Sequence, residues 1–162
     1  CVKDTWQVME EFVKQGMVKS LGVSNFNRHH LEELLSYAEI RPVINQIEVH
    51  PFMTQEENIA YNRSLGIQVQ AWGPFGQGDI DVIGNPLLQA LAQKYGKTAS
   101  QIVLRWIVQR ELITIPRAKP NHFKENLEVM QFELSDEDMR QISGLNLNMR
   151  SNVKNDPENF PW

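Results

Sequence analysis

The apolar positions along the chain alternate between helical and strand-like spacing. Trp6, Met9, Phe12 and Val13 recur at the spacing of one helix face, and Gly16 is placed to end that helix. Further helical segments and short apolar runs then alternate along the sequence. This pattern predicts four strands separated by helices, and therefore a parallel sheet with helices on the outside.

The predicted strands are, in chain order, MVKSLGVS, PVINQIEVH, IQVQAW and LITIP. The helices between them carry start signals. Thr54 with Glu57, and Thr98 with Gln101, have the spacing of a capping box, in which two side chains bond to each other's backbone amides. Residues 146–162 contain Pro, Asn and Asp without periodicity, and they are predicted to form a C-terminal loop.

Two architectures fit four such units: a small open α/β sheet, or part of a (β/α)8 barrel. A complete barrel needs roughly 250 residues, so this chain of 162 residues would supply about half of one. Polar and aromatic side chains collect where the predicted strands end, which is the face that binds ligands in parallel α/β folds. They are Ser24, Asn25, Asn45, Gln46, Glu48, His50, Trp72 and Arg117.

Composition narrows the range of partners. The hydrophobic fraction of 41% and the charged fraction of 22% are ordinary for a globular protein. A net charge of -4 without a basic run argues against nucleic acid and anionic membranes as partners. Cys1 is the single cysteine, so an internal disulfide is excluded and a cytoplasmic location is expected. The chain begins with this cysteine rather than with Met, which indicates a piece of a longer chain.

Four segments, GVSNF, NQIEVHP, AWGPFG and IPRAKPNHFKENL, resemble in order and spacing the second half of an aldo/keto reductase. The resemblance covers essentially the whole chain, residues 1–162, and the tail NDPENF is similar to bacterial and protozoan members near the diketogluconate reductases. It implies a (β/α)8 TIM barrel, of which this chain supplies about the last four βα units, the C-terminal helix and the tail. It also implies that the intact protein reduces aldehydes or ketones to alcohols with NADPH.

The resemblance implies that Ser24, Asn25 and Gln46 bind the carboxamide of nicotinamide and that Trp72 stacks on its ring. A carboxamide has one carbonyl acceptor and an NH2 donor, and hydroxyl and amide side chains match both. Taken alone, Ser24 and Asn25 are more typical of helix capping or a turn, and Trp72 of a core side chain. The loop expected beside the pyrophosphate, where small residues let the backbone approach closely, consists of Gly73, Pro74, Phe75 and Gly76.

The segment IPRAKPNHFKENL corresponds to the family's site for the adenosine 2′-phosphate and adenine. Arg117 stands where a Lys is usual, and Glu125 and Asn126 match the pair that contacts adenine. Ala118 replaces a usual Ser, and His122 replaces a usual Arg if the preceding loop is one residue shorter. Because Arg117 keeps a cation for the phosphate, NADPH is the expected cofactor, with NADH possible.

The family's catalytic Asp, Tyr, Lys and His belong to the first half of the barrel, so the resemblance places no catalytic residue in this chain. His50 in EVHP is interpreted as a structural histidine, because the family's catalytic histidine lies in an earlier strand. No Cys/His cluster has metal-ligand spacing, and no metal is expected. The chain alone is therefore predicted to be inactive.

A half barrel would leave two outer strands with unpaired backbone groups. Either the N-terminal half of the same barrel completes it, or two copies associate; the first is simpler, and the whole is then expected to be a monomer that acts on a small carbonyl substrate. The alternative function is a non-catalytic cofactor-binding or regulatory subunit on the same fold.

Overall fold

The computed structural model describes residues 2–159, apart from the side chains of Asn121 and Asn155. Cys1 and residues 160–162 lie outside this range, and so do the predictions that concern the single cysteine and the last three residues of the C-terminal loop. No helix within residues 2–159 is long and apolar enough to cross a membrane.

Strands alternate with helices as predicted. The strands are β1 (Gly22–Ser24), β2 (Ile44–Glu48), β3 (Gln68–Trp72) and β4 (Ile113–Thr114). The helices are α1 (Val2–Lys14), α2 (Arg28–Leu35), α3 (Glu56–Ser64), α4 (Pro86–Tyr95), α5 (Ala99–Gln109), α6 (Phe123–Leu127) and α7 (Asp136–Ser143). Short 3-10 turns cover Pro120–His122, Glu128–Gln131 and Val153–Asn155.

The strands form one sheet in the order β1-β2-β3-β4, which confirms the predicted α/β class. β1 and β2 run parallel, with Gly22 opposite Ile44 and Ser24 opposite Gln46. The glycine is needed for this close pairing, because a Cβ at residue 22 would lie 2.4 Å from the Cγ2 atom of Ile44. β1 and β4 are the outer strands of the sheet.

The chain divides into two compact units. The first comprises Cys1–Ile47, Glu56–Gln70 and Lys154–Trp162, and the second Glu48–Gln55 and Ala71–Val153. In the first unit the core consists of Trp6, Leu21, Phe26, Leu31, Leu34 and Ile67. The indole Nε1 of Trp6 donates to the carbonyl of Ile40 at 3.1 Å. The buried carboxylate of Glu10 accepts the amides of Glu39 and Ile40, so α1 is held by polar as well as apolar contacts.

In the second unit the core is built around α5. This helix is apolar along most of its length, and it is buried from Ala99 to Ile107 except at Ser100. The predicted capping box at its start is confirmed, since Thr98 accepts the amide of Gln101 and its own amide donates to the Gln101 side chain. Trp106 is fully buried and its Nε1 donates to the Ser143 hydroxyl at 3.0 Å, which joins α5 to α7.

The predicted strand MVKSLGVS is wrong in extent, because only its last residues, Gly22–Ser24, are strand. The amides of Met17 and Val18 both donate to the carbonyl of Phe12, at 2.9 and 3.3 Å. These bonds wrap the chain around the end of α1, where Gly16 has a φ of +71°. The backbone groups are thus used to end a helix, and they are not available to begin a strand.

The predicted capping box of Thr54 with Glu57 is also wrong. α3 begins at Glu56, and the residue before it, Gln55, has a φ of +56° that separates Thr54 from the helix. The backbone of Thr54 serves tertiary contacts instead. Its amide donates to Oδ1 of Asn146 at 3.1 Å, and its carbonyl accepts from Arg110 at 2.8 Å.

Candidate functional site

Ser24, Asn25 and Gln46 lie together where β1 ends beside β2, and we call them the amide cluster. The carbonyl of Gln46 accepts the Asn25 amide at 2.8 Å and the Ser24 hydroxyl at 3.2 Å. Asn25 has a φ of +59°, in the left-handed region that asparagine tolerates. The strand register therefore brings Gln46 to the adjacent residues Ser24 and Asn25, although Gln46 stands 22 positions from Ser24 in the sequence.

The amide cluster presents both donors and acceptors. Because the Ser24 hydroxyl donates its hydrogen to a carbonyl, its oxygen can only accept from a further partner. Nε2 of Gln46 donates one of its two hydrogens to Oε1 of Gln70 at 2.6 Å. Gln70 was not predicted as a site residue, and it is half-buried in the structure. The sequence signal that could have revealed it is its polar side chain within the predicted strand IQVQAW.

The structure also separates the alternative roles of Ser24 and Asn25. The N-cap of α2 is Asn27, so neither residue caps that helix. Asn25 does form a turn, through its left-handed backbone. The turn and a ligand contact are compatible, because the turn uses the backbone of Asn25.

Trp72 ends β3 and is half-buried, and its carbonyl accepts the amide of Val49 at 3.1 Å. A tight loop follows, in which Gly73 and Gly76 have φ values of +63° and +75° and the amide of Gly76 donates to the carbonyl of Gly73 at 3.0 Å. A Cβ at residue 76 would lie 2.6 Å from the carbonyl oxygen of Ile80. Only glycine fits there, as expected where the backbone must pack closely. Pro74, which follows Gly73 in this loop, is buried.

A pocket in the second unit, which we call the Arg117 pocket, is lined by Phe75, Ser100, Arg117, His122, Glu125 and Asn126. All of these except Ser100 were predicted as site residues from the sequence. Ala118 was predicted as well; it is half-buried and is not among the residues that line this pocket.

Contacts between α5 and α6 shape the Arg117 pocket. Oε1 of Glu125 accepts the Thr98 hydroxyl at 2.6 Å, and the Glu125 carbonyl accepts the side chain of Gln101 at 3.0 Å. These bonds fix α6 against the first turn of α5 and so bring Ser100 to the pocket. No motif marks Ser100 in the sequence; its place in the first turn behind Thr98 is the only local signal.

The two basic side chains of the Arg117 pocket are exposed to solvent. Arg117 and His122 are both exposed. Over the described range 2–159, no ion pair engages either side chain. A guanidinium in this state can meet a phosphate through two parallel hydrogen bonds.

Glu48 and His50, at the end of β2, form a buried polar cluster that was not predicted as functional. Both side chains are 0% exposed, and His50 Nε2 lies 3.2 Å from Glu48 Oε1. The same oxygen accepts the amide of Ser151 at 2.8 Å. Burial by itself raises the pKa of Glu48, but the hydrogen bonds from His50 and Ser151 outweigh burial and hold that pKa below its usual value. The complete burial of His50 is what a structural histidine requires.

One group among residues 2–159 brings potential metal ligands together: His29, His30 and Glu158, whose ligand atoms lie within 4.8 Å of one another. Sequence spacing could not reveal it, because Glu158 is far along the chain. Two features disfavour a cation there. Nδ1 of His30 already accepts the amide of Asn27 at 3.1 Å, and the positive end of α2 lies beside it. Nε2 of His29 lies 3.4 Å from Oε2 of Glu158, so these two side chains contact each other directly.

Comparison with known proteins agrees with these motifs. A sequence model of the Aldo/keto reductase family matches residues 2–147. The uncharacterised oxidoreductase YtbE of Bacillus subtilis is 47% identical over 161 residues, which is 99% of this chain and 56% of YtbE. Glyoxal reductase of the same organism is 45% identical over 149 residues, which is 91% of this chain and 53% of that protein. The chain thus spans about half the length of the relatives it matches.

A solved structure shares the fold. The aldo-keto reductase of Bombyx mori in complex with NADP superimposes with a TM-score of 0.86 at 39% identity, over 97% of this chain and 54% of that one. This likeness identifies the α/β fold as part of an aldo-keto reductase barrel. The chain belongs to the aldo/keto reductase family.

Proposed function

We propose that the intact protein carrying this chain reduces aldehydes or ketones to alcohols with NADPH. The observation that carries the proposal is the Arg117 pocket, which brings together five residues predicted for cofactor binding. The side chains of Arg117 and His122 have no ion-pair partner within residues 2–159. Family membership supports it, as do a relative named glyoxal reductase and a structural neighbour in complex with NADP.

The amide cluster is assigned to the nicotinamide carboxamide. Its donors and acceptors fit a planar carboxamide, with Ser24 accepting from the NH2 group and Gln46 donating its second amide hydrogen to the carbonyl. Asn25 adds a third polar group, and Trp72 is assigned to stack on the ring. When bound, NADPH supplies a hydride to the carbonyl carbon. By fixing the plane of the ring, these residues select the face from which the hydride leaves.

The Arg117 pocket is assigned to the adenosine 2′-phosphate and the adenine. Arg117 holds the phosphate, and the imidazole of His122 adds a second hydrogen-bonding group. Glu125 and Asn126 are assigned to the adenine. Ala118 contributes no hydroxyl, so Arg117 is the principal reason for a preference of NADPH over NADH.

We further propose that the chain is the C-terminal half of a barrel and that the N-terminal half supplies the catalytic Asp, Tyr, Lys and His. Exposed apolar side chains support this. Ile113 of the outer strand β4 and the following Ile115 are 43% and 39% exposed. A stripe at helical spacing, formed by Phe123, Leu127 and Met130, is 56%, 74% and 64% exposed. A covering half would bury these surfaces, so this chain alone is expected to be inactive.

The test is to mix the intact protein with NADPH and a panel of small aldehydes and ketones. We expect the absorbance of reduced nicotinamide to fall with at least one carbonyl, and we expect residues 1–162 alone to leave it unchanged. Cofactor binding without turnover on any carbonyl would contradict the proposal and favour a cofactor-binding or regulatory subunit. Turnover by residues 1–162 alone would contradict the assignment of catalysis to the other half.

A further inference from the structure

The proposed function leaves the buried cluster around Glu48 unexplained. Oε1 of Glu48 accepts the amide of Ser151, a residue 103 positions away in the sequence, and also meets Nε2 of His50. The other atoms of this pair, Glu48 Oε2 and His50 Nδ1, are buried and have no hydrogen-bond partner among the described residues. A buried carboxylate is costly unless its contacts offset the lost hydration. The contacts of Glu48 therefore indicate what this charge holds in place.

Glu48 holds the segment that follows α7. This segment, residues 146–151, runs along the turn after β2: the amides of Leu147 and Met149 both donate to the carbonyl of Phe52, at 3.1 and 3.0 Å. The bond from Ser151 to Glu48 is the next hydrogen bond that holds this segment, and its acceptor is a carboxylate. Nη1 of Arg150 lies 3.9 Å from Oε2 of Glu48 and adds attraction from the same segment.

The stem of Glu48 also packs beside the loop after β3. A Cβ at Gly73 would lie 3.9 Å from Cγ of Glu48, which is ordinary van der Waals distance. Gly73 is the first residue of the loop that the family resemblance places beside the pyrophosphate. Glu48 thus holds the anchored segment through its carboxylate, and its stem lies beside the loop.

We propose that Glu48 is a positioning residue for the cofactor, which holds the segment that ends at Ser151 with its carboxylate and supports the loop beginning at Gly73 with its stem. The inference rests on the proposed cofactor site. Glu48 acts through the loop backbone and the segment, and it takes no part in the hydride transfer. Loss of the carboxylate should therefore raise the NADPH concentration that the enzyme needs and leave the chemical step unchanged.

The experiment compares Glu48→Leu, Glu48→Gln and the matched control Glu133→Gln in the intact protein. Glu133 is a carboxylate of the same unit whose side chain is 83% exposed. For Glu48→Leu we expect faster hydrogen exchange at the Ser151 amide and an NADPH Kd raised about tenfold, the scale of one lost hydrogen bond to a charge. Glu48→Gln keeps an acceptor for Ser151 and should show a smaller rise of KM for NADPH with an unchanged kcat. The control should match the wild type.

The outcomes are distinguishable. Faster exchange at Ser151 with an unchanged NADPH Kd would show a purely structural anchor and overturn the inference. Should Glu48→Leu fail to fold, Glu48→Gln decides: a raised KM for NADPH with unchanged kcat supports the inference, and wild-type kinetics overturn it. Failure of the wild type itself to bind NADPH would overturn the proposed function together with the inference.

Discussion

The amide cluster and the Arg117 pocket differ in what fixes the positions of their side chains. In the amide cluster, the Ser24 hydroxyl and the Asn25 backbone both bond to the carbonyl of Gln46, so the strand register fixes the geometry. In the Arg117 pocket, Arg117 and His122 lie in or beside short loops, and both are exposed. One arrangement is enforced by the backbone, and the other depends on the side chains themselves.

This difference suits the two parts of the cofactor assigned to them. The carboxamide is common to NADH and NADPH, so a rigid arrangement can serve both. The 2′-phosphate distinguishes the two cofactors, and recognition by exposed side chains on loops can change through single substitutions. Of the departures from the family pattern, Arg117 and His122 line the second region, and Ala118 follows Arg117 directly in the sequence. We therefore expect changes near the amide cluster to affect both cofactors, and changes in the Arg117 pocket to affect NADPH alone.

The largest effect is expected from Gly22→Val, which attacks the register of the amide cluster. A Cβ at this position would meet Ile44 at 2.4 Å, and overpacking of this kind costs about 1–3 kcal/mol of stability. Urea unfolding should show the loss, and titrations should show NADPH and NADH weakened to the same extent. Wild-type affinity for both cofactors in a folded Gly22→Val protein would separate the amide cluster from cofactor binding.

Acid should act on the second unit through Asp138. This carboxylate accepts from Lys94 at 2.7 Å, from the Ser135 hydroxyl at 2.8 Å and from the hydroxyl of Tyr95. Burial raises its pKa, but these hydrogen bonds outweigh burial and leave the pKa of Asp138 below its usual value. The stability it contributes is therefore complete above its unfolded pKa, and it is lost as the pH falls through the lower folded pKa.

The measurement is the thermal unfolding midpoint of the intact protein between about pH 6 and pH 2.5, a range that spans the usual carboxyl pKa. Asp138→Asn should lower the midpoint at pH 6 and reduce its fall with acid. Asp136→Asn, which changes an exposed carboxylate at the start of the same helix, is the control. Equal acid dependence in wild type and Asp138→Asn would contradict the account.

A several-fold effect is expected at Trp72, which is assigned to the shared nicotinamide ring. An aromatic pair contributes roughly 0.5–1.5 kcal/mol beyond area burial, so Trp72→Ala should weaken NADPH and NADH by about two- to tenfold. The same variant should lose part of the tryptophan fluorescence quench that NADPH causes in the wild type. An unchanged quench and unchanged affinity would remove Trp72 from the site.

The smallest effect is expected at His122, which lines the Arg117 pocket and is exposed. If its imidazole donates a hydrogen bond to the phosphate, His122→Ala should weaken NADPH about two- to threefold, the lower end for one hydrogen bond, and leave NADH unchanged. His29→Ala, which changes an exposed histidine of the first unit, is the control and should leave both affinities unchanged. An equal loss for both cofactors in His122→Ala would remove His122 from the phosphate site.

Local signals predicted much of this molecule. The alternation of strands and helices and the capping box at Thr98 depend on neighbours within a few residues, so the local pattern predicts them. The site residues were instead implied by the resemblance to a family. Gly22 and Asn25 were readable as a motif, but the reason for each is a contact with β2.

Long-range contacts account for most of what was missed. The bond from Ser151 to Glu48 joins residues 103 positions apart, and Ser100 reaches its pocket only because Glu125 bonds to Thr98. Thr54 has the spacing of a capping residue, yet its backbone is used by Asn146 and Arg110. In each case the packing of distant segments, which no local pattern encodes, decided the outcome.

The central claim, that separate residues recognise the phosphate and the nicotinamide, is tested most directly with 2′,5′-ADP, which carries the adenosine and its 2′-phosphate but no nicotinamide. Calorimetric titration of the intact protein should give binding that Arg117→Ala weakens about tenfold or more, since hydrogen bonds to a charged group are lost. Gln46→Ala should bind 2′,5′-ADP as the wild type does, while it weakens NADPH and NADH alike. Equal loss of 2′,5′-ADP binding in Arg117→Ala and Gln46→Ala would contradict the account, and so would wild-type binding in Arg117→Ala.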